Sequence, residues 1–237
     1  MPRVTLTPPF FEIGPKQYLY GDGVLELALI ADELSLKHKV QIIFTAPFPD
    51  IRTVSSNAKN LVVFAPSMDD IEIGRGLADI LPESVKAAGA AGVMLNHAEK
   101  PLPYSKLEST VNRAKRLEML TLICADSSAE LKAAALLGPD VIAAEPADLI
   151  ATGTPGSLDF IRASIDAIRS VNQKIYVLIG AGIKNGGDVY KAIKEGADAS
   201  GSSSAIAKAN DKRALLNEFL QAARQAYDEK TDGGRSK

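Results

Sequence analysis

Gly92-Val93-Met94-Leu95-Asn96-His97 is a run of small and branched apolar residues that stops at a titratable one, and Val141-Ile142-Ala143-Ala144-Glu145 repeats the pattern later in the chain. Short runs without polar alternation read as parallel strands covered on both faces. A titratable group just past the end of such a strand reads as chemistry. If both strands belong to one barrel, their carboxyl ends open on the same face, and an imidazole and a carboxylate from distant parts of the chain converge there.

Working outward, six more segments read as extended: residues 10–13, 40–45, 61–65, 120–125, 175–179 and 197–202. Helical periodicity fills the intervals at 24–36, 51–55, 82–88, 105–117, 128–137, 157–171, 187–195 and 212–227. Asp126 and Ser127 offer side-chain oxygens to cap the helix near Ser128. Strict alternation of strand and helix implies parallel strands with helical crossovers. About 250 residues is typical of eight such units closed into a ring, and this chain has 237. The expected fold is therefore α/β, a single-domain (β/α)₈ barrel over residues 1–230, with a disordered polar tail at 231–237. An open, doubly wound sheet is the competing arrangement. Residues 67–81 carry Asp69, Asp70, Glu72 and Arg75 but few strand or helix signals. A loop of that length calls for a job, and it reads either as solvated surface or as an arm reaching into a neighbouring subunit.

Composition narrows the partners. Lysine plus arginine (27) nearly balances aspartate plus glutamate (29), for a net charge of −2, so no excess positive charge invites nucleic acid. No apolar run is long enough to span a bilayer. A single cysteine, Cys124, cannot form an internal disulfide, and with no basic-apolar leader the expected compartment is the cytoplasm. Cys124 itself, following Leu122-Ile123, reads as a small core residue.

Several residues are candidates for chemistry. Pro146 removes a backbone donor and biases Glu145 toward extended geometry, so the strand ends there. Residues 147–155, with Ala151-Thr152-Gly153-Thr154, suit a closing lid. The only other histidine, His38, lies in the charged turn Lys37-His38-Lys39. With one cysteine and no second histidine near His97, no metal site is expected. No Gly-x-Ser-x-Gly elbow occurs either, which argues against a serine hydrolase. Gly180-Ala181-Gly182-Ile183-Lys184-Asn185-Gly186-Gly187 follows one strand and opens a helix, and Gly201-Ser202-Ser203-Ser204-Ala205 does the same at the last strand. The loops after strands seven and eight of a barrel frequently hold a phosphate, and Lys184 adds a charge there. Asn185 occupies the third glycine position of the dinucleotide fingerprint, so a nucleotide cofactor is not indicated. Each feature also has a bland reading: Glu145 as a surface charge, His97 as a hydrogen-bonded structural group, the two turns as tight packing.

With these residues in hand, the chain resembles the triosephosphate isomerase family, in its shorter archaeal-type branch, from about Gly21 to Ala209. The likeness rests on Leu95-Asn96-His97-Ala98-Glu99-Lys100, on Ala144-Glu145-Pro146 with Ile150-Ala151-Thr152-Gly153, and on Ile80-Leu81-Pro82-Glu83, Cys124-Ala125-Asp126 and Gly180-Ala181-Gly182-Ile183, in that family's order. The resemblance implies a (β/α)₈ barrel that interconverts an aldose phosphate and its ketose isomer without a cofactor, as a homodimer or homotetramer. It makes Glu145 the base, neutral His97 the electrophile and Lys16 the stabilising ammonium. Gly153, Gly182, Lys184, Ser203 and Ser204 become phosphate ligands, with Glu99 in support.

Departures cluster at the same pocket. Gly14 stands where the family's Asn-x-Lys motif has asparagine, Ala98 replaces a serine, Ala151 a lid glycine, Lys184 a serine and Ala205 a glycine. Glu12 adds an unusual charge near the barrel mouth, placed to bind Lys16 or a substrate hydroxyl. Glyceraldehyde 3-phosphate and dihydroxyacetone phosphate are the default pair. An isomerase of a four-carbon ketose phosphate such as an erythrulose phosphate is the nearest variant, and a non-catalytic phosphometabolite-binding barrel or a lyase stand further off.

Overall fold

In the computed structural model, which describes residues 4–146 and 156–235, eight parallel strands run in sequence order around a closed barrel: β1 Phe10–Ile13, β2 Gln41–Thr45, β3 Leu61–Ala65, β4 Gly92–Leu95, β5 Leu120–Ala125, β6 Val141–Ala144, β7 Tyr176–Ile179 and β8 Ala199–Ser202. Closure is made by β1 against β8, with Phe10 opposite Ala199 and Ile13 opposite Ser202. This excludes the open sheet. All eight strands fall within two residues of their sequence-derived positions, because each is a nearly continuous apolar run that cannot be satisfied at a surface.

Period 2 along each strand divides the core into two clusters. Phe10, Ile43, Phe64, Leu122, Cys124, Ala143 and Leu178 fill the barrel interior. Phe11, Ile13, Ile42, Phe44, Val93, Ile123 and Ile142 point outward and pack under the helices. The interior is tight enough that a β-carbon at Gly92 would overlap the Phe64 ring on the neighbouring strand.

The helices are α1 Asp22–His38, α2 Ile51–Asn57, α3 Pro82–Ala87, α4 Tyr104–Arg116, α5 Ser128–Leu136, α6 Leu158–Arg169, α7 Gly186–Lys194, α8 Ser204–Ala207 and α9 Lys212–Arg235. Short oxygen-bearing side chains start four of them: Ser127 accepts from the Glu130 N–H at 3.3 Å, Ser157 from Phe160 at 3.1 Å, Asn185 from Asp188 at 3.0 Å and Asp211 from Ala214 at 2.8 Å. Of the two caps offered before α5, Ser127 is the one used. A 3₁₀ turn at Phe48–Asp50 and the four-residue α8 are too short to show a period in sequence.

The tail expected to be disordered from residue 231 instead continues α9 as helix to Arg235. Once nucleated, a helix adds one hydrogen bond per residue, and the turns that lead into the tail carry pairs four apart, Arg224 to Asp228 and Gln225 to Glu229. The apolar face of α9 buries Leu216, Phe219, Leu220, Ala223 and Ala226, with Phe219 5.6 Å from the Phe11 ring. No helix among the described residues is long and apolar enough to cross a membrane.

Candidate active site

At the carboxyl ends of the strands a cavity of about 320 Å³ opens, and the sequence-derived candidates meet in its wall. Lys16 follows β1, His97 and Glu99 follow β4, Glu145 follows β6, Gly182 and Lys184 follow β7, and Ser203 and Ser204 follow β8; all line this one space. Gly153 and Ala151, with the whole of the segment 147–155 expected to form a lid, lie outside the described residues.

His97 Nε2 and Glu145 Oε2 are 4.0 Å apart, with 13% and 18% of their side chains exposed. The Glu99 backbone N–H donates to His97 Nδ1 at 3.0 Å. A backbone N–H can only donate, so Nδ1 is an acceptor and the neutral ring carries its proton on Nε2, the nitrogen nearest Glu145. Burial holds the imidazole below its usual proton affinity, outweighing the pull of Glu145. Glu145 is fixed from behind, since its N–H donates to the Ala125 carbonyl at 3.0 Å and Pro146 contributes no competing donor. Gly180 provides the room for its carboxylate, because a β-carbon there would overlap Glu145 Oε1.

Asn96, which in sequence is only one member of a motif, sets the geometry of the His97 loop. It adopts a left-handed φ of 58°, a conformation asparagine tolerates better than most residues. Its Nδ2 donates to the Cys124 carbonyl at 3.0 Å and its Oδ1 accepts from the Leu102 N–H at 2.9 Å, pinning the loop to β5. Lys16 also has positive φ, 50°, the kind of backbone outlier that collects at functional sites. Its ammonium is 3.0 Å from Glu99 Oε1. Lys16 therefore pairs with Glu99 and not with Glu12.

Glu12 points into the barrel interior and is 7% exposed. Thr45 Oγ1 donates to its Oε1 at 2.6 Å. Burial pushes this carboxyl up to about 8, with the Glu145 charge adding to the rise while Thr45 and Lys16 oppose it. Cys124 is buried beneath the site, and desolvation pushes its thiol up, consistent with a core role.

On the far side of the cavity, Ser202 Oγ donates to the Ile183 carbonyl at 3.2 Å and ties the two small-residue turns together. Ser203 Oγ is buried with no hydrogen-bond partner among the described residues. The α8 turn that follows has no side-chain cap, and the Lys184 side chain is exposed at the rim. Unpaired hydroxyl, uncapped amides and an exposed cation together can hold an anion. The arrangement thus offers a base, a neutral proton donor opposite it and an anion cradle in one cavity.

A family model described as triosephosphate isomerase matches residues 20–223. Lys16 lies before that match. The triosephosphate isomerase of Saccharolobus solfataricus is 34% identical over 226 residues, spanning 93% of this chain and 99% of the relative. That of Methanosarcina barkeri is 34% identical over 218 residues, 90% and 98% of the two chains, and that of Methanothermobacter thermautotrophicus 35% over 217, 90% and 94%. With end-to-end likeness of this extent on a closed eight-stranded barrel, the chain belongs to the triosephosphate isomerase family.

Proposed function

We propose that the protein interconverts glyceraldehyde 3-phosphate and dihydroxyacetone phosphate through an enediol. The observation that carries this reading is a carboxylate 4.0 Å from the protonated nitrogen of a neutral imidazole, inside the cavity that also holds the anion cradle. Glu145 removes a proton from the carbon next to the carbonyl. The electron pair of that C–H bond becomes the C=C bond of the enediol, and the carbonyl oxygen takes the resulting charge. His97 Nε2–H stabilises that oxygen and Lys16 adds a positive field. The former carbonyl oxygen gains a proton by way of His97 Nε2, the adjacent hydroxyl gives one up as its own carbonyl forms, and Glu145 returns the carbon-bound proton to the former carbonyl carbon; the atoms and electrons of substrate and product are the same, so no redox cofactor is consumed. Gly182, Lys184, Ser203, Ser204 and Gly153 hold the phosphate, and Glu99 orients Lys16 and, through its backbone, His97.

We place the enzyme in the cytoplasm and read it as a homodimer or homotetramer. Support for assembly comes from the loop between β3 and α3, where Ile73 and Leu77 are 75% and 105% exposed. The test of function is a coupled assay of the purified chain on triose, tetrose and pentose phosphates, with Glu145→Asp beside it. Shortening the arm displaces the base by roughly 1 Å and should cost on the order of 100-fold in kcat with the melting temperature little changed. Unaltered turnover in that variant removes Glu145 from its role, and activity greatest on a tetrose phosphate reassigns the substrate.

A further inference from the structure

Glu12 is a buried carboxyl at an inward position of β1. β1 sends Phe10 and Glu12 inward and Phe11 and Ile13 out to the helices. An inward position in this layer ordinarily carries a branched apolar residue. Glu12 has one neutral partner, the Thr45 hydroxyl on Oε1 at 2.6 Å. Among the described residues no ion pair reaches it; the Lys16 ammonium, whose charge acts on it from nearby, is engaged by Glu99. Oε2 has no hydrogen-bond partner among the described residues, and the side chain forms part of the cavity wall.

Two glycines give the carboxyl its place. A β-carbon at Gly14 would lie 3.1 Å from Oε1, and one at Gly201, across the β1–β8 seam, 3.3 Å from Oε2. The carboxyl therefore reaches into space that side chains at 14 and 201 would take.

We propose that Glu12 contacts the substrate, its free carboxyl oxygen reading a hydroxyl or carbonyl oxygen of the sugar phosphate. Burying a carboxyl without an ionic partner costs stability, and polar groups kept at such a cost belong to sites. Burial raises the group to about 8, which favours the neutral form, and that form keeps an O–H to donate while Thr45 occupies Oε1. A sugar phosphate is rich in the oxygens that such a donor reads.

The proposal rests on the isomerase reading, and the experiment separates the two. Wild type, Glu12→Leu and Glu12→Gln are assayed on glyceraldehyde 3-phosphate and on an erythrulose phosphate. Calorimetric affinity for dihydroxyacetone phosphate and inhibition by inorganic phosphate are measured alongside. Glu12→Leu should melt no lower than wild type, lose roughly 100-fold in kcat/KM and bind the sugar phosphate more weakly, with phosphate inhibition unchanged. Glu12→Gln, whose amide can still donate, should recover most of that loss. Wild-type kcat/KM in Glu12→Leu on both sugars, a lower melting temperature, or no recovery in Glu12→Gln each overturns the proposal. A wild type that isomerises neither sugar sinks the isomerase reading alone. The role of Glu12 is then decided by whether Glu12→Leu loses sugar-phosphate affinity.

Discussion

Gly180 shows how little separates a working base from a misplaced one. Its missing side chain is the space Glu145 Oε1 occupies, so Gly180→Ala moves the carboxylate while leaving the strand intact. The displaced atom is the end of a side chain, which can swing away at small cost in stability. The expected result is a loss of roughly 100-fold in kcat with a nearly unchanged melting temperature; retained kcat shows that Glu145 has a second productive position. Glu12 makes a prediction of a different kind. Its folded value of about 8 lies above the ordinary 4.5, so between these the folded state keeps a proton that the unfolded chain releases. The associated stability is complete below about pH 4.5 and drains away as pH rises toward 8, by an amount on the order of 4 kcal/mol. Glu12→Gln cannot ionise and removes that slope. Denaturant midpoints of the two proteins from pH 5 to 8 should diverge steadily, and parallel curves would place the carboxyl in a wetter setting than the structure gives it.

At the scale of elements, the parts legible in sequence were those with a period or a cap. Val141-Ile142-Ala143-Ala144 announces a buried strand, and Ser127 and Asn185 announce helix starts, because each signal lies within a few adjacent residues. The positions of Glu145 and His97 at strand ends were legible for the same reason. What joins them was not: the Asn96 bridge to Cys124, the Lys16 pair with Glu99 and the glycine spaces around Glu12 all link residues distant in the chain. Arg113 is a further case, hidden in the apolar period of α4. It is 3% exposed, and it donates to Glu83 Oε1 at 2.5 Å and to the Ile71 carbonyl at 3.2 Å while pairing with Glu72 at 3.0 Å. One guanidinium thus anchors the long loop before α3 to the barrel wall, and it holds the Glu83 carboxyl below its usual range. Arg113→Met keeps the stem packing but releases the loop. Limited proteolysis should then cut within residues 70–79 roughly tenfold faster than in wild type, with isomerase activity largely kept. A cleavage rate that does not change means that the arm is held by something other than this side chain.

At the scale of the molecule, the closed barrel is what turns distant residues into one site, and the same closure leaves its outside to solve a separate problem. The helices and α9 cover the outward cluster, yet the anchored arm holds Ile73 and Leu77 in solvent. A mobile loop could fold such side chains back; one fixed by a buried arginine cannot do so freely. Two large apolar groups presented by a held arm fit the surface of a second copy better than they fit water. Light scattering of the wild-type chain should therefore give a mass of at least two subunits. Ile73→Asp with Leu77→Asp places two carboxylates in the contact, which makes reassociation unfavourable while leaving each barrel folded, and the mass should fall to that of one chain. The strand ends are set within each subunit, so the monomer should keep a measurable rate; complete loss of activity would show that the arm completes the neighbour's site. A wild type that is already monomeric at working concentration ends the proposal of assembly through this arm.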